Sequence, residues 1–401
     1  MKKPRYLVGI DLGTTNTVVA SADTTGREDA LGRPAVSVFP IEQLVAPGQA
    51  EPRELLPSNV YVPAEGELAA DDLALSWGRE PWPVGELAKQ RGARTPGHLV
   101  VSAKSWLSHG AVDRTAAILP WGAPEGIPRL SPIDASSRYL GHVRAAWDHA
   151  HPDEPLDAQD VVLTVPASFD EVARELTLRA ARSAGLESLR LVEEPQAAFY
   201  DWLAAQPDPE RPLGTSTLAI VVDVGGGTTD LTLIHADASG KLSRIAVGDH
   251  LLLGGDNMDL LLAKTAETRL GKGALDAARF AQLLASCRSA KERLLSDDAP
   301  PSMPVTVLGS GSRLIGGTMS TTLTREDVER LCVDGFFPEV DADARVDRKR
   351  AGLVEFGLPY ASDPAITRHV ATFLARHRSV IEEVLGTGRA PLPDAVLLNG
   401  G

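Results

Sequence analysis

The sequence predicts an α/β protein built from two related lobes, and three observations carry that expectation. A short apolar strand ending in Asp and a Gly–Thr turn occurs twice, at Asp11 and again at Asp223. Strands alternate with capped helices between the two copies. The composition, 43% hydrophobic and 23% charged over 401 residues, is that of a packed globular chain, with room for roughly two to four domains.

The elements follow in order. Tyr6 to Ile10 reads as a buried strand that stops at the polar turn Asp11-Leu12-Gly13-Thr14-Thr15-Asn16-Thr17, and Val18 to Ser21 returns from it. From Gly26 to Gly66 the Pro and Gly density predicts a loop-rich excursion with short strands at most, notably Asn59 to Val62. Val161 to Val165 is a second buried strand, closed by Pro166. Ser168 with Glu171 then forms a capping-box signature for a helix whose apolar face is Val172, Leu176, Ala180 and Ala184, with Gly185 as its stop. Leu189 to Val192 is strand-like and runs into Glu193-Glu194-Pro195, which opens another helix.

Thr217 to Val222 is a third strand, and it enters the turn Asp223-Val224-Gly225-Gly226-Gly227-Thr228-Thr229-Asp230 before Leu231 to Ile234 returns. Helices are expected at about 257–270 and 275–296, then a Pro-punctuated β stretch and a capped helix from Thr324. Residues 336–367 are charged and poorly periodic. The chain closes on Asp394 to Gly401, a buried strand and a glycine turn, which reads as a domain cut short.

Fifty-four acidic against forty basic residues give a formal charge of -14, and no basic cluster is read along the chain, so neither nucleic acid nor a membrane is an expected partner. Two distant cysteines, Cys287 and Cys332, offer neither a disulfide framework nor zinc-ligand spacing, and no stretch resembles a signal peptide or a membrane span. A cytoplasmic protein is expected.

Both Asp–Gly–Thr turns carry what a polyphosphate needs. Gly13, Gly225, Gly226 and Gly227 allow close backbone approach and positive φ, Thr14, Thr15 and Thr228 offer hydroxyls, and Asp11 and Asp223 could hold magnesium through its bound water. Either turn alone is read equally well as an ordinary hairpin turn. Two copies in matching strand contexts favour one nucleotide clamped between them. The spacing fits neither the dinucleotide-binding Gly-x-Gly-x-x-Gly nor the P-loop pattern.

At this point the sequence resembles the ATPase domain of the seventy-kilodalton heat-shock chaperones, within the wider actin-like ATPase superfamily. Val8 to Asn16 is similar to that family's first phosphate motif, Val221 to Asp230 to its second, Leu191 to Ala198 to its first connecting segment, and Val396 to Gly401 to the opening of its adenosine motif. Leu163 to Phe169, Ser102 to Leu107 and Leu253 to Asp256 extend the likeness over nearly the whole chain. The resemblance implies an actin-like (ribonuclease H-like) α/β fold with a mixed five-stranded sheet in each lobe and a nucleotide cleft between lobes. Lobe I would span 1–213 with an insertion at about 40–140, and lobe II 214–401 with one at about 256–335.

It further implies ATP or ADP with Mg2+ as the bound group, and hydrolysis by transfer of the γ-phosphoryl to water. Lys104 would reach the phosphates, Glu194 would place the attacking water, and Asp11, Asp223 and Thr228 would organise magnesium and the γ-phosphate. Asn16, Gly400 and Gly401 would join the nucleotide contacts, with Asp230 ranked below Asp223. Arg174 and Pro166 sit where the family couples nucleotide state to its peptide domain. Where the family has an acid and then an arginine beside the purine, this chain has Arg288 and Glu292; Arg288 is expected to stack on the base, with Lys291 on the same helix face. Implied partners are a J-domain co-chaperone and a nucleotide exchange factor. Unfolded polypeptide would be held only by a further domain, and the chain itself is expected to be a monomer. The rivals are a filament-forming actin-like ATPase and a small-molecule kinase of the same superfamily.

Overall fold

The computed structural model describes residues 3–28, 32–205, 218–237, 241–271, 273–307, 318–346, 354–355, 358–359, 361–386 and 388–400. It is a mixed α/β protein that divides into two compact units, Met1–Gly92 with Gly97–Asp201, and Trp202–Gly401 with Ala93–Pro96. The expected lobe junction near 213 lies outside the described residues. Among these residues no helix is long and apolar enough to cross a membrane.

In the first unit β1 (Tyr6–Leu12) and β2 (Asn16–Asp23) form an antiparallel hairpin, and β3 (Val36–Val38) and β4 (Leu56–Pro57) both pair with β2. On its other edge β1 runs parallel to β5 (Asp160–Val165), which runs parallel to β6 (Leu189–Glu193). The sheet therefore has six strands rather than five, the extra one being the two-residue β4, which pairs where β2 leaves the turn. The first strand is covered on one face only. Val8, Ile10 and Leu12 are buried, while Leu7 is 45% exposed, so the apolar run conceals a period-two strand. That alternation puts Asp11 on the uncovered face.

The helices α1 (Ala103–Ser108), α2 (Pro132–Ala150) and α3 (Glu171–Ser183) supply a core in which Leu107, Ile133, Val165, Phe169, Ala173, Leu176 and Ala180 meet. The cap of α3 is Asp170, not Ser168: its carboxylate accepts from Ala173 N at 2.6 Å, and the Arg114 fork holds the same group below the usual carboxylate range. The expected apolar face is kept at Leu176, Ala180 and Ala184 and fails only in its first turn. Val172, expected inside, is 56% exposed, and Ala173 and Thr177 are buried instead. Among the elements that escaped the sequence reading are a hairpin and a long helix. One is the hairpin Ile41–Ala46 with Gln49–Arg53, turned at Gly48 with φ +67°; the other is α2, whose Ser131/Asp134 capping box and Pro132 lie in the stretch without clear period. The helix α4 (Glu194–Ala204) starts directly at the end of β6.

The second unit repeats the hairpin. β7 (Leu218–Val224) and β8 (Thr229–Ala236) are antiparallel, β9 (Leu242–Val247) extends the sheet beyond β8, and β12 (Ala395–Asn399) pairs parallel to β7 on the far side. Four strands are seen here among the described residues, one fewer than expected. β7 is buried on both faces, as its unbroken apolar run predicts. β12, by contrast, is an edge strand, with Val396 and Leu398 64% and 76% exposed, and the reading of a buried strand is corrected.

Helices α5 (Gly255–Leu270) and α6 (Ala277–Leu294) pack together over the hairpin of β10 (Ser302–Val307) and β11 (Met319–Thr324), and α7 (Ile366–Arg376) and α8 (Arg378–Leu385) bring Phe373 and Ile381 against the β7–β8 sheet. Thr324 caps the following helix as predicted, its partner Asp327 also receiving both arms of Arg269 at 2.6 and 2.7 Å.

Two predictions follow from this packing. Cys287 and Cys332 are buried in one core, and burial pushes both thiols up to about 12. In the native protein neither is expected to react with a disulfide reagent at pH 8, and both to react after unfolding in urea; native-state labelling would show that the α5–α6 core opens. The Arg269 fork holds the Asp327 carboxyl well below its ordinary value, so the pair stabilises the fold above about pH 4 and loses that contribution as pH falls through the depressed folded value. An Asp327→Asn variant should be less stable than the parent at pH 7, with the gap closing in acid. A gap independent of pH in chemical denaturation would contradict the assignment.

Candidate functional site

Three parallel strands set the candidate residues of the first unit. Because β1, β5 and β6 run the same way, their C-terminal ends share an edge of the first sheet, the edge where ligands gather on such sheets. Asp11 stands at the end of β1, Thr164 at the end of β5, and Glu194 just past β6 at the start of α4. Thr164 donates its hydroxyl to Asp11 Oδ1 at 2.7 Å, which orients the carboxylate. The sequence reading missed that role, although Thr164 lies inside the Leu163–Phe169 match.

The first turn is tight for a steric reason. A Cβ on Gly13 would come within 2.2 Å of the Asn16 carbonyl oxygen, so only glycine closes this hairpin. The turn is tied down from outside: Ser58 donates its hydroxyl to Gly13 O at 2.8 Å and its backbone N–H to Thr15 O at 2.8 Å. Thr14 and Asn16 are half-buried in it. Positive φ, expected at Gly13 and Gly225, is found at neither; Gly13 is needed for space, whereas a Cβ on Gly225 would make only ordinary contact with Thr228 O at 3.6 Å.

Lys104 lies on α1 with its side chain 9% exposed, and its ammonium forms an ion pair with the Glu194 carboxylate. The residue ahead of that helix, Ser102, has φ +55°, the only left-handed non-glycine residue among those described. Strain of this kind costs about 1–3 kcal/mol and concentrates at functional positions. Arg174 donates to Glu193 Oε1 at 2.6 Å, one residue before Glu194.

The second unit carries a hairpin of the same plan. Asp223 ends β7, and its Oδ2 accepts from Asn399 Nδ2 at 3.0 Å, across the parallel β7–β12 pair in which the two residues are in register. The turn closes through Gly225 N to Thr228 O at 2.9 Å, with Gly227 buried and Thr228 half-buried. Asp230 is buried, 3.2 Å from His250 Nδ1.

The N-terminus of α5 docks on this turn, Gly255 N and Asp256 N donating to Gly225 O and Gly226 O at 3.1 and 2.7 Å. The approach depends on Gly254, where a Cβ would meet those two carbonyl oxygens at 2.4 and 2.7 Å. Gly400 packs on the Val224 carbonyl, and Gly401 lies outside the described residues.

Arg288 and Lys291, expected beside the base, face two carboxylates of α5. Arg288 Nε sits 2.6 Å from Asp259 and its Nη2 reaches Asp256, while Lys291 Nζ lies 2.7 Å from Asp259 and 3.1 Å from Gly255 O. Burial pushes the Asp256 carboxyl up against the pull of Arg288. The guanidinium, which burial alone would lower, is held above its ordinary value by Asp256 and Asp259. Asp259 is fully buried and carried no motif that would mark it in the sequence. Among the described residues no three His, Cys, Asp or Glu side chains gather as a metal cage. Each hairpin instead offers a single oriented carboxylate, Asp11 or Asp223, a donor of the kind Mg2+ accepts alongside water and phosphate oxygens.

A family model described as Hsp70 protein matches residues 126–341. The chain is 30% identical over 401 residues to a chaperone protein HscA homolog of Bordetella petrii, covering 97% of this chain and 55% of that protein. Against the homolog of Bordetella pertussis the identity is 32% over 337 residues, 82% of this chain and 46% of the relative. Against that of Methylococcus capsulatus it is 31% over 362 residues, 87% and 50%. The chain spans about half the length of the relatives it matches.

The packing at the second turn is directly testable. Gly254→Ala forces the carbonyls of Gly225 and Gly226 apart and is expected to cost about 1–3 kcal/mol in urea unfolding. A variant as stable as the parent would show that α5 does not sit on the turn this closely.

Proposed function

The chain belongs to the Hsp70 family, and from that premise we propose that it binds Mg-ATP between its two Asp–Gly–Thr hairpins and hydrolyses it, as the ATPase portion of a chaperone. The observation that carries the reading is the repeated plan: in each unit an Asp at the end of the first hairpin strand is oriented by a side-chain donor on the parallel neighbour, Thr164 for Asp11 and Asn399 for Asp223. Two such carboxylates beside glycine turns suit one polyphosphate and its cation.

Each residue then has a task set by its chemistry. Asp11 and Asp223 would hold Mg2+ through its water, and the bound ion would offset phosphate charge. The Lys104 ammonium would exchange its Glu194 partner for a phosphate oxygen, which frees the Glu194 carboxylate to accept a hydrogen bond from the attacking water. Backbone N–H groups of the turns, with Thr14, Thr15 and Thr228, would line the phosphates. Arg288 can reach a purine only by leaving Asp256 and Asp259, so base stacking would be weaker than a free arginine provides.

Turnover in the cytoplasm, a J-domain partner, an exchange factor and control of a peptide-binding domain belong to the same proposal and rest on the family alone. Single-turnover hydrolysis with Mg2+ tests its centre. Lys104→Ala and Glu194→Ala are each expected to lower the rate at least tenfold while ATP still protects the segments 13–16 and 225–228 from hydrogen exchange. Unchanged rates in both variants would remove the catalytic assignment, and protection of one hairpin alone would remove the shared clamp.

A further inference from the structure

The second unit contains a cavity of about 400 Å3 that the nucleotide reading does not use. Its size falls within the range of small-molecule sites, and its lining has their usual character, an apolar floor with a few polar groups. Leu231 of β8 and Phe373 of α7 form the floor. The polar groups come from α7, from Asp249 and from Arg345 in the charged, poorly periodic stretch.

The charges on the rim are not balanced. Arg376 is neutralised by Asp249, 2.8 Å away. Arg345 has no carboxylate partner among the described residues: its Nη1 donates to the carbonyl oxygens of Asp343 and Ala344 at 2.5 and 2.9 Å, which fixes the side chain and leaves Nη2 and Nε to donate elsewhere. A guanidinium anchored in this way presents the planar fork that suits a carboxylate or phosphate. Arg345 also opens a run, Arg345 to Arg350, with four basic residues in six, a local cluster contrary to the expectation from overall charge; residues 347–350 lie outside the described ones.

Two neutral groups complete the rim. Thr372 Oγ1 accepts from Val346 N at 3.1 Å, so its own proton remains available to a ligand. His369 donates through Nε2 to Asp363 O at 2.9 Å, which leaves Nδ1 as an acceptor in the neutral ring.

We propose that this cavity binds a small organic anion, with a carboxylate or phosphate head held by Arg345 and Thr372 and a compact apolar body on Leu231 and Phe373. At the wall, Leu251 N donates to Thr229 O at 3.2 Å and Leu251 O accepts from Thr229 N at 2.9 Å, so the cavity backs onto the second hairpin without including the residues of its turn. The inference does not rest on ATP binding.

Calorimetric titration of the chain with phenyl phosphate and with benzoate, each with and without excess Mg-ATP, tests it. At least one of them should bind at a single saturable site, and the tighter of the two identifies the head group. Phenol and inorganic phosphate, each lacking half of the ligand, should bind at least tenfold more weakly. Arg345→Gln, a change on an exposed side chain, should weaken binding at least tenfold, with Arg345→Lys between the two. The proposal is overturned if neither anion saturates, if Arg345→Gln binds as the parent does, or if Mg-ATP displaces the probe competitively, which would assign it to the nucleotide site.

Discussion

The candidate site depends on one constraint, the parallel pairing of the first hairpin strand with a neighbour whose end carries a hydrogen-bond donor. A carboxylate at a strand terminus has several rotamers, and a lone Asp at a turn points wherever solvent leads it. Parallel register places Asn399 opposite Asp223, and β5 beside β1 places Thr164 where it can bond Asp11. The donors come from residues far away in sequence, so each carboxylate is oriented only once its sheet has formed. The two units reach this arrangement with different residues, Thr in one and Asn in the other, because either supplies an N–H or O–H at the right reach.

Around that constraint the structure spends glycine and buried charge. Gly13 closes the first turn onto Asn16, and Gly254 lets a helix terminus sit on the second. The same helix carries Asp256 and Asp259, which hold α6 through Arg288 and Lys291. Removing one member of such a buried set leaves its partners uncompensated, so these four residues are tied to the position of the second turn. In the first unit the Lys104–Glu194 pair joins α1 to α4, with the strained Ser102 ahead of it.

Legibility in the sequence followed periodicity and local chemistry. Both hairpins, the Thr324 cap and helices α5 and α6 were readable, since each is a short-range pattern that the tertiary structure leaves unaltered. Where a cap competed with a neighbour the reading slipped: Asp170 caps α3 in place of Ser168, braced by Arg114 from far away in sequence, and Val172 in the first turn is exposed while Leu176, Ala180 and Ala184 are buried as expected. The strand at 6–12 looked fully buried because Leu7, Gly9 and Tyr6 interrupt its alternation weakly, and the closing strand looked buried because apolarity alone does not say how many neighbours a strand has.

By itself the sequence determined the two Asp–Gly–Thr hairpins, the α/β class and the candidate residues Asp11, Asp223 and Thr228, because turn chemistry and strand period act over a few residues, whereas Lys104 and Glu194 became candidates through the family resemblance. Only the tertiary structure decided which side chains hold them. Thr164, Asn399 and Asp259 are ordinary residues in the sequence, and they acquire meaning from contacts made across strands and helices that no local pattern encodes. The same holds for Arg288, whose charge the sequence shows and whose two carboxylate partners depend on how α5 and α6 pack.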